Sequence, residues 1–203
     1  MSESTGKKKS SLPMVIILVV SIVPIVGAYI AYYTGLGVSA DTVNEGTLLK
    51  SDPPANIIDL LNLAEGEKPD YERNYAWRLI VPIPEYCNQA CQDNLYTTRQ
   101  VHIRLGEKAE RVERYAALIG GQASEDYYQN IREEHPRLKA FSISRDQWLQ
   151  WLQASNVPQS MEQEHYYLLI DQIGFAMMFY TSAHEGSQLL KDIKRILRYS
   201  LDK

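Results

Sequence analysis

The sequence predicts an α/β fold, a mixed sheet with helices on both faces, preceded by one N-terminal transmembrane helix. Three observations carry that reading. A run of twenty uncharged residues, Met14–Tyr33, includes Val15-Ile16-Ile17-Leu18-Val19-Val20. Beyond it, short apolar runs alternate with segments of helical period, and two strand-like runs then follow one another before a last helix. The composition, 45% apolar and 23% charged over 203 residues, is that of a chain able to bury one core of ordinary size. Intrinsic disorder and a polytopic membrane protein are excluded.

The apolar run comes first. About 20 residues at ~1.5 Å each span the ~30 Å of a bilayer core. Lys7-Lys8-Lys9 precede it and no comparable basic run follows. The positive-inside rule therefore keeps the N-terminus in the cytoplasm and exports residues 34–203, most simply across a bacterial inner membrane into the periplasm. Tyr29, Tyr32 and Tyr33 suit the outer aromatic belt. Val38-Ser39-Ala40 has the small side chains of a signal-peptide cleavage site, but the apolar run exceeds the ~7–15 residues of a signal h-region, so an uncleaved anchor is expected. In either case the main domain lies in an oxidising compartment. The net charge of −4 is uneven: residues 1–40 carry +2, with Glu3 against Lys7, Lys8 and Lys9, which leaves −6 for residues 41–203. An acidic body speaks against nucleic acid as a partner.

The predicted organisation is a basic cytoplasmic tail at 1–13, the anchor at 14–33, a juxtamembrane connector at 34–69 and a folded domain at 70–203. Gly35, Gly37, Gly46, Pro53 and Pro54 mark the connector, with at most one short strand at Thr47–Lys50 and a polar stretch at Glu65–Asn74. Trp77–Ile83 reads as a buried strand closed by Pro84. Cys87, Cys91, Leu95, Thr98, His102 and Leu105 then form one helical stripe ended by Gly106. Arg111–Ile119 reads as a second strand before Gly120-Gly121, Glu125–Glu134 as a helix before Pro136, Lys139–Ile143 as a strand and Arg145–Ala154 as a helix. His165–Asp171 and Phe175–Thr181 are joined by a link too short for a parallel crossover, so they form an antiparallel hairpin. The last helix starts at Gly186 and buries Leu189, Leu190, Ile193, Ile196 and Leu197. The order is β-α-β-α-β-α-β-β-α.

The chemistry centres on the two cysteines. Cys87 sits where the first strand hands over to the first helix, and free N–H groups with the positive end of the helix dipole favour a thiolate there. Cys91 is one turn on, with α-carbons about 6 Å apart, inside the range a disulfide tolerates. A redox dithiol, an inert disulfide and a two-sulfur metal site all fit this spacing. Among the histidines, His102 lies ~16 Å along the helix from Cys91, beyond a shared coordination sphere, and is expected to pack or cap. His135, before Pro136, is expected at the surface, as is His184 in the polar turn 181–186. His165 opens the hairpin strand beside the first helix, and a structural role is its default. Glu133/Glu134 and Glu162/Glu164 read as solvated faces, and Tyr166/Tyr167 with Trp148/Trp151 as core. No Gly-rich phosphate loop, His-Glu-x-x-His or Gly-x-Ser-x-Gly occurs.

The chain resembles the membrane-anchored thioredoxin-fold proteins of the Sco/SenC type over roughly residues 44–200. The resemblance rests on the single anchor, on Trp77–Ile83 leading into Cys87-Asn88-Gln89-Ala90-Cys91, on Arg99-Gln100-Val101-His102 with Leu105-Gly106, and on Leu168-Leu169-Ile170-Asp171-Gln172-Ile173-Gly174. It implies a thioredoxin-like domain that assists assembly of a respiratory oxidase (cytochrome c oxidase), either by thiol–disulfide exchange through Cys87 and Cys91 or by handling Cu(I). The family's third copper ligand falls on Gln163 in this sequence, with His165 two residues further. Redox exchange is therefore expected ahead of copper carriage, with Cys87 as the attacking thiolate and Cys91 as its resolving partner. If the reduced domain takes a metal, Cu(I) on Cys87, Cys91 and His165 is the expected set. The competing expectation is a non-catalytic interaction module whose disulfide only staples. A respiratory oxidase subunit or its assembly factors would be the partner.

Overall fold

The computed structural model describes residues 12–34, 43–161 and 163–200. The chain divides into two compact units at Val43 and Asn44. The first holds helix α1 (Leu12–Thr34), which contains Pro24. Within it, Val15–Thr34 is long and apolar enough to cross a membrane. Residues 35–42, including the candidate cleavage site at Ala40, lie outside the described residues, as do the basic residues at 7–9.

The second unit is built on a seven-stranded mixed sheet. Its elements are β1 (Thr47–Leu48), α2 (Ile57–Leu61), β2 (Glu65–Gly66), β3 (Trp77–Ile83), α3 (Gln89–Arg104), β4 (Val112–Leu118), α4 (Gln122–Ile131), β5 (Leu138–Ser142), α5 (Arg145–Leu152), β6 (Tyr166–Ile170), β7 (Ala176–Thr181) and α6 (Gly186–Tyr199), with a 3₁₀ turn at Gly106–Arg111 between α3 and β4. The strand order is β1-β7-β6-β3-β4-β5-β2. β3, β4 and β5 run parallel, because each link between them carries a helix, while the hairpin β6–β7 adds antiparallel against β3.

The period-2 alternation of the strands sorts two cores. Leu79, Val81 and Ile83 face one side with Cys87, Cys91, Leu95 and the α6 residues Leu189, Leu190, Ile193 and Leu197. Ile80, Tyr115 and Phe141 face the other with α2 and Trp148 of α5. Each of the α6 leucines and isoleucines contributes about 1.5–3 kcal/mol by leaving water. As expected, Tyr166 and Trp148 are core: Trp148 Nε1 donates to Tyr166 Oη at 2.9 Å in the buried interior.

One expectation is corrected by the packing. Residues 44–69, predicted as a connector, are folded into the second unit. β1 pairs with β7 and β2 with β5, so both edges of the sheet come from this segment. Ile57, Leu60 and Leu61 are buried. The carboxylate of Asp192, itself 1% exposed, accepts from the backbone N–H of Glu45 and Gly46 and from Tyr180 Oη. Strands of two residues and a helix of five carry too little periodicity to show in sequence, and it is the long-range bonds that hold them.

Candidate functional site

The site lies where β3 ends and α3 begins. Pro84 halts the strand, and Asn88 starts the helix in an extended conformation, its Oδ1 accepting from Cys91 N–H at 3.0 Å. That cap places Cys87 just ahead of the helix and Cys91 in its first turn. The two are joined as a disulfide with α-carbons 5.3 Å apart. The pair is asymmetric: Cys91 is fully sealed at 0% exposure, whereas Cys87 keeps 6%, beside Tyr86 at 80%. Gln92 Nε2 donates to the Cys87 carbonyl at 3.1 Å, tying the loop to the helix. A cleft of about 500 Å³ opens next to it, walled by Pro84, Glu85, Tyr86 and Asn88 with Arg145 and Met161 across.

Gly120 sets the shape of this loop. A Cβ there would stand 2.1 Å from Glu85 N, and Ile119 N–H donates to the Ile83 carbonyl at 3.0 Å. The end of β4 thus abuts the segment that carries Cys87. The Gly120-Gly121 pair was legible as a strand end; its backbone contact with Glu85 was not.

His165 is buried at 2% exposure just before β6, and Asn94 Nδ2 lies 2.9 Å from its Nδ1. Asn94 is on α3, three residues past Cys91, so the topology does bring His165 to the first half of that helix. Burial pushes its pKa down to about 4, with the Pro82 carbonyl pulling weakly the other way. The three candidate ligands do not combine: both sulfurs are in the disulfide, and among the described residues no group of three His, Cys, Asp or Glu side chains is arranged to hold a metal ion. The donor set present in this oxidised form does not fit Cu(I).

The other histidines separate clearly. His102 packs as expected, its Nε2 donating to the Val112 carbonyl at 2.8 Å, with its pKa lowered by burial. His135 is not at the surface: it is 7% exposed, with Arg114 Nη2 3.4 Å from its Nδ1. Pro136 is exposed while the imidazole before it lies against that guanidinium. His184 is half-buried, its Nδ1 accepting from Thr181 N–H at 3.0 Å. Glu133, Glu134 and Glu164 are exposed, and Glu162 lies outside the described residues.

Comparison with solved structures finds the same fold. Yeast Sco1 superposes with a TM-score of 0.53 at 10% identity, covering 81% of this chain and all of that one. Arabidopsis thaliana ScoI with copper bound gives 0.51 at 12% identity, covering 78% of this chain and 100% of that chain. Yeast Sco1 with copper bound gives 0.51 at 10%, covering 80% and 97%. At these identities the likeness is one of fold, and it establishes the thioredoxin-like architecture of the mixed sheet. No curated protein sequence matches the chain. The family model described as transmembrane-like, thioredoxin-like, C-terminal domain matches residues 77–200, and the chain belongs to that family.

Proposed function

We propose that the protein is a membrane-anchored thiol–disulfide exchange factor, working through Cys87 and Cys91 in the assembly of a respiratory oxidase. The observation that carries this reading is the disulfide at the strand-to-helix junction, with Cys91 sealed at 0% exposure and Cys87 keeping 6% next to the exposed Tyr86. In the reduced state, the Cys87 thiolate attacks a disulfide of the target and a mixed disulfide forms as one target thiolate leaves. Cys91, as thiolate, then attacks Cys87 Sγ, the intermolecular bond breaks, and the second target thiolate departs. The target gains two electrons and, on protonation of its thiolates, two protons; the domain ends in the disulfide form described above. A dithiol donor of the exported compartment restores the reduced state. The helix N-terminus favours thiolate at the junction, and Asn88 and Gln92 hold the loop and first turn that carry the pair. The oxidase as context comes from the fold shared with Sco1 proteins. Helix α1 would be the anchor, and the basic run at 7–9 would keep the N-terminus cytoplasmic and the domain at 44–203 on the exported side.

A second reading has its own observation: both cysteines belong to the buried core on their side of the sheet, as a structural staple would. The reduction potential separates the two, since structural disulfides lie below about −300 mV and exchanging ones higher. A potential above that value, with a mixed disulfide trapped by Cys91→Ser on a disulfide target, is the expected result. A potential below it, or oxidase assembly unchanged with both cysteines replaced by serine, would overturn the proposal. Stoichiometric Cu(I) retention by the reduced protein would move the role to copper handling.

A further inference from the structure

Two buried arginines leave adjacent positions of the central sheet and are treated differently. Arg78 and Glu113 are partners across β3 and β4, and Arg78 Nε donates to Glu113 Oε2 at 3.2 Å, with Nη1 on the Ala76 carbonyl at 2.8 Å. That charge is neutralised. Arg114, the next residue along β4, turns to the opposite face and is 3% exposed. Its hydrogen bonds all come from Nη2, to the Leu95 carbonyl at 3.0 Å, Thr98 Oγ1 at 3.1 Å and His135 Nδ1 at 3.4 Å. Nε is buried without a hydrogen-bond partner. Burial first, and Arg99 next, lower its pKa to about 10, so it remains a cation at neutral pH. A buried charge without a counter-ion is costly, and among the described residues no carboxylate is paired with Arg114.

What it supplies is space. Arg114 lines a cleft of about 410 Å³ at the C-terminal end of α3, together with Arg99, Arg137, His102, Gly106 and Pro136. Among the described residues, three guanidinium groups and no carboxylate line it. An adjoining cleft shares Arg114 and Arg137 and adds Arg132 and Lys139, with Glu67, Glu110 and Glu113. The oxygens of Glu113 are engaged by Arg78 and Lys139, and Glu67 faces Lys139 at 3.5 Å. His102 and His135 are held neutral by burial and bring no charge at neutral pH.

We propose that this cleft is a binding site for a small phosphate-class oxyanion, held by Arg114 at its floor and by Arg99 and Arg137 at its mouth. Planar guanidinium groups match the oxygens of a phosphate two at a time, and a dianion offsets the charge that Arg114 leaves open. The volume suits inorganic phosphate or a small phosphomonoester, not a polymer. The site is separate from the cysteine pair, about 16 Å along α3 from Cys91 to His102, and does not depend on the redox reading.

The test is isothermal titration of the full-length protein in detergent micelles with inorganic phosphate and, separately, glycerol phosphate, at an ionic strength held constant with chloride. Saturable one-site binding is expected, weakened about tenfold or more by Arg99→Gln and by Arg137→Gln. These residues are at the mouth, so the variants keep the fold even if Arg114→Met does not. Equal affinity for the two probes assigns the site to the free ion, and tighter glycerol phosphate assigns it to a phosphomonoester; either supports the proposal. Heats no larger than those of the chloride blank, or affinity unchanged in both variants, would overturn it.

Discussion

At its N-terminal end helix α3 meets two sulfurs that satisfy each other, whereas at its C-terminal end it meets three guanidinium groups with, among the described residues, no carboxylate between them. The first end is closed: Cys91 is out of contact with solvent, the cap Asn88 uses the free N–H of Cys91, and the loop is tied by Gln92. The second is open, with a buried cation whose hydrogen-bonding capacity is only partly used. One helix thus carries a site whose chemistry is latent in a covalent bond and another whose chemistry waits for a counter-ion. A buried histidine stands near each, His165 against Asn94 and His135 against Arg114.

The comparison breaks hardest at the disulfide. Replacing Cys87 and Cys91 together by serine is expected to abolish exchange with a disulfide target while phosphate binding at the other end is retained; stopped-flow exchange and titration on the same preparation check this. Removing the cross-link also costs about 2 kcal/mol of stability in the chain-entropy account, because the loop it closes is short.

Next in size is Gly120→Ala. The added Cβ meets Glu85 backbone at 2.1 Å, which no side-chain motion relieves. A loss of about 1–3 kcal/mol is expected in denaturant unfolding, with slower exchange because the Cys87 loop must shift. Arg137→Gln should do the reverse, leaving exchange within about twofold of the parent while phosphate affinity falls, since the two sites share no side chain.

The histidines make the contrast between the two ends titratable. His165 and His135 are both held at about 4 against an ordinary 6.5, in each case chiefly by burial, and His135 next by Arg114 and Arg99, with Glu134 opposing. Between those values the unfolded chain takes protons that the folded one refuses. Stability is therefore full above about pH 6.5, falls as pH is lowered towards about 4, and levels off below. Urea unfolding across this window checks the slope, and His165→Gln should reduce it. Phosphate should raise the His135 titration and leave His165 where it is, read by ring resonances; movement of both together would break the contrast between the two ends.

The sequence by itself determined the elements with long period: Trp77–Ile83 as a strand, the Cys87–Leu105 stripe, the β6–β7 hairpin and the amphipathic last helix all depend on patterns that are local and repeated. It also singled out Cys87 and Cys91, since cysteines four apart at a strand–helix junction need only one helical turn to meet. Tertiary structure alone decided what long-range packing controls. β1, β2 and α2 are too short to show periodicity and exist because β7, β5 and the core accept them. His135 went inward because Arg114, 21 residues earlier, offers it a donor. Asn94 met His165 across 71 residues. Arg78 and Arg114 are indistinguishable as letters in two strands; the β3–β4 register put Glu113 on one face only, and that is why one arginine is paired and the other faces an open cleft.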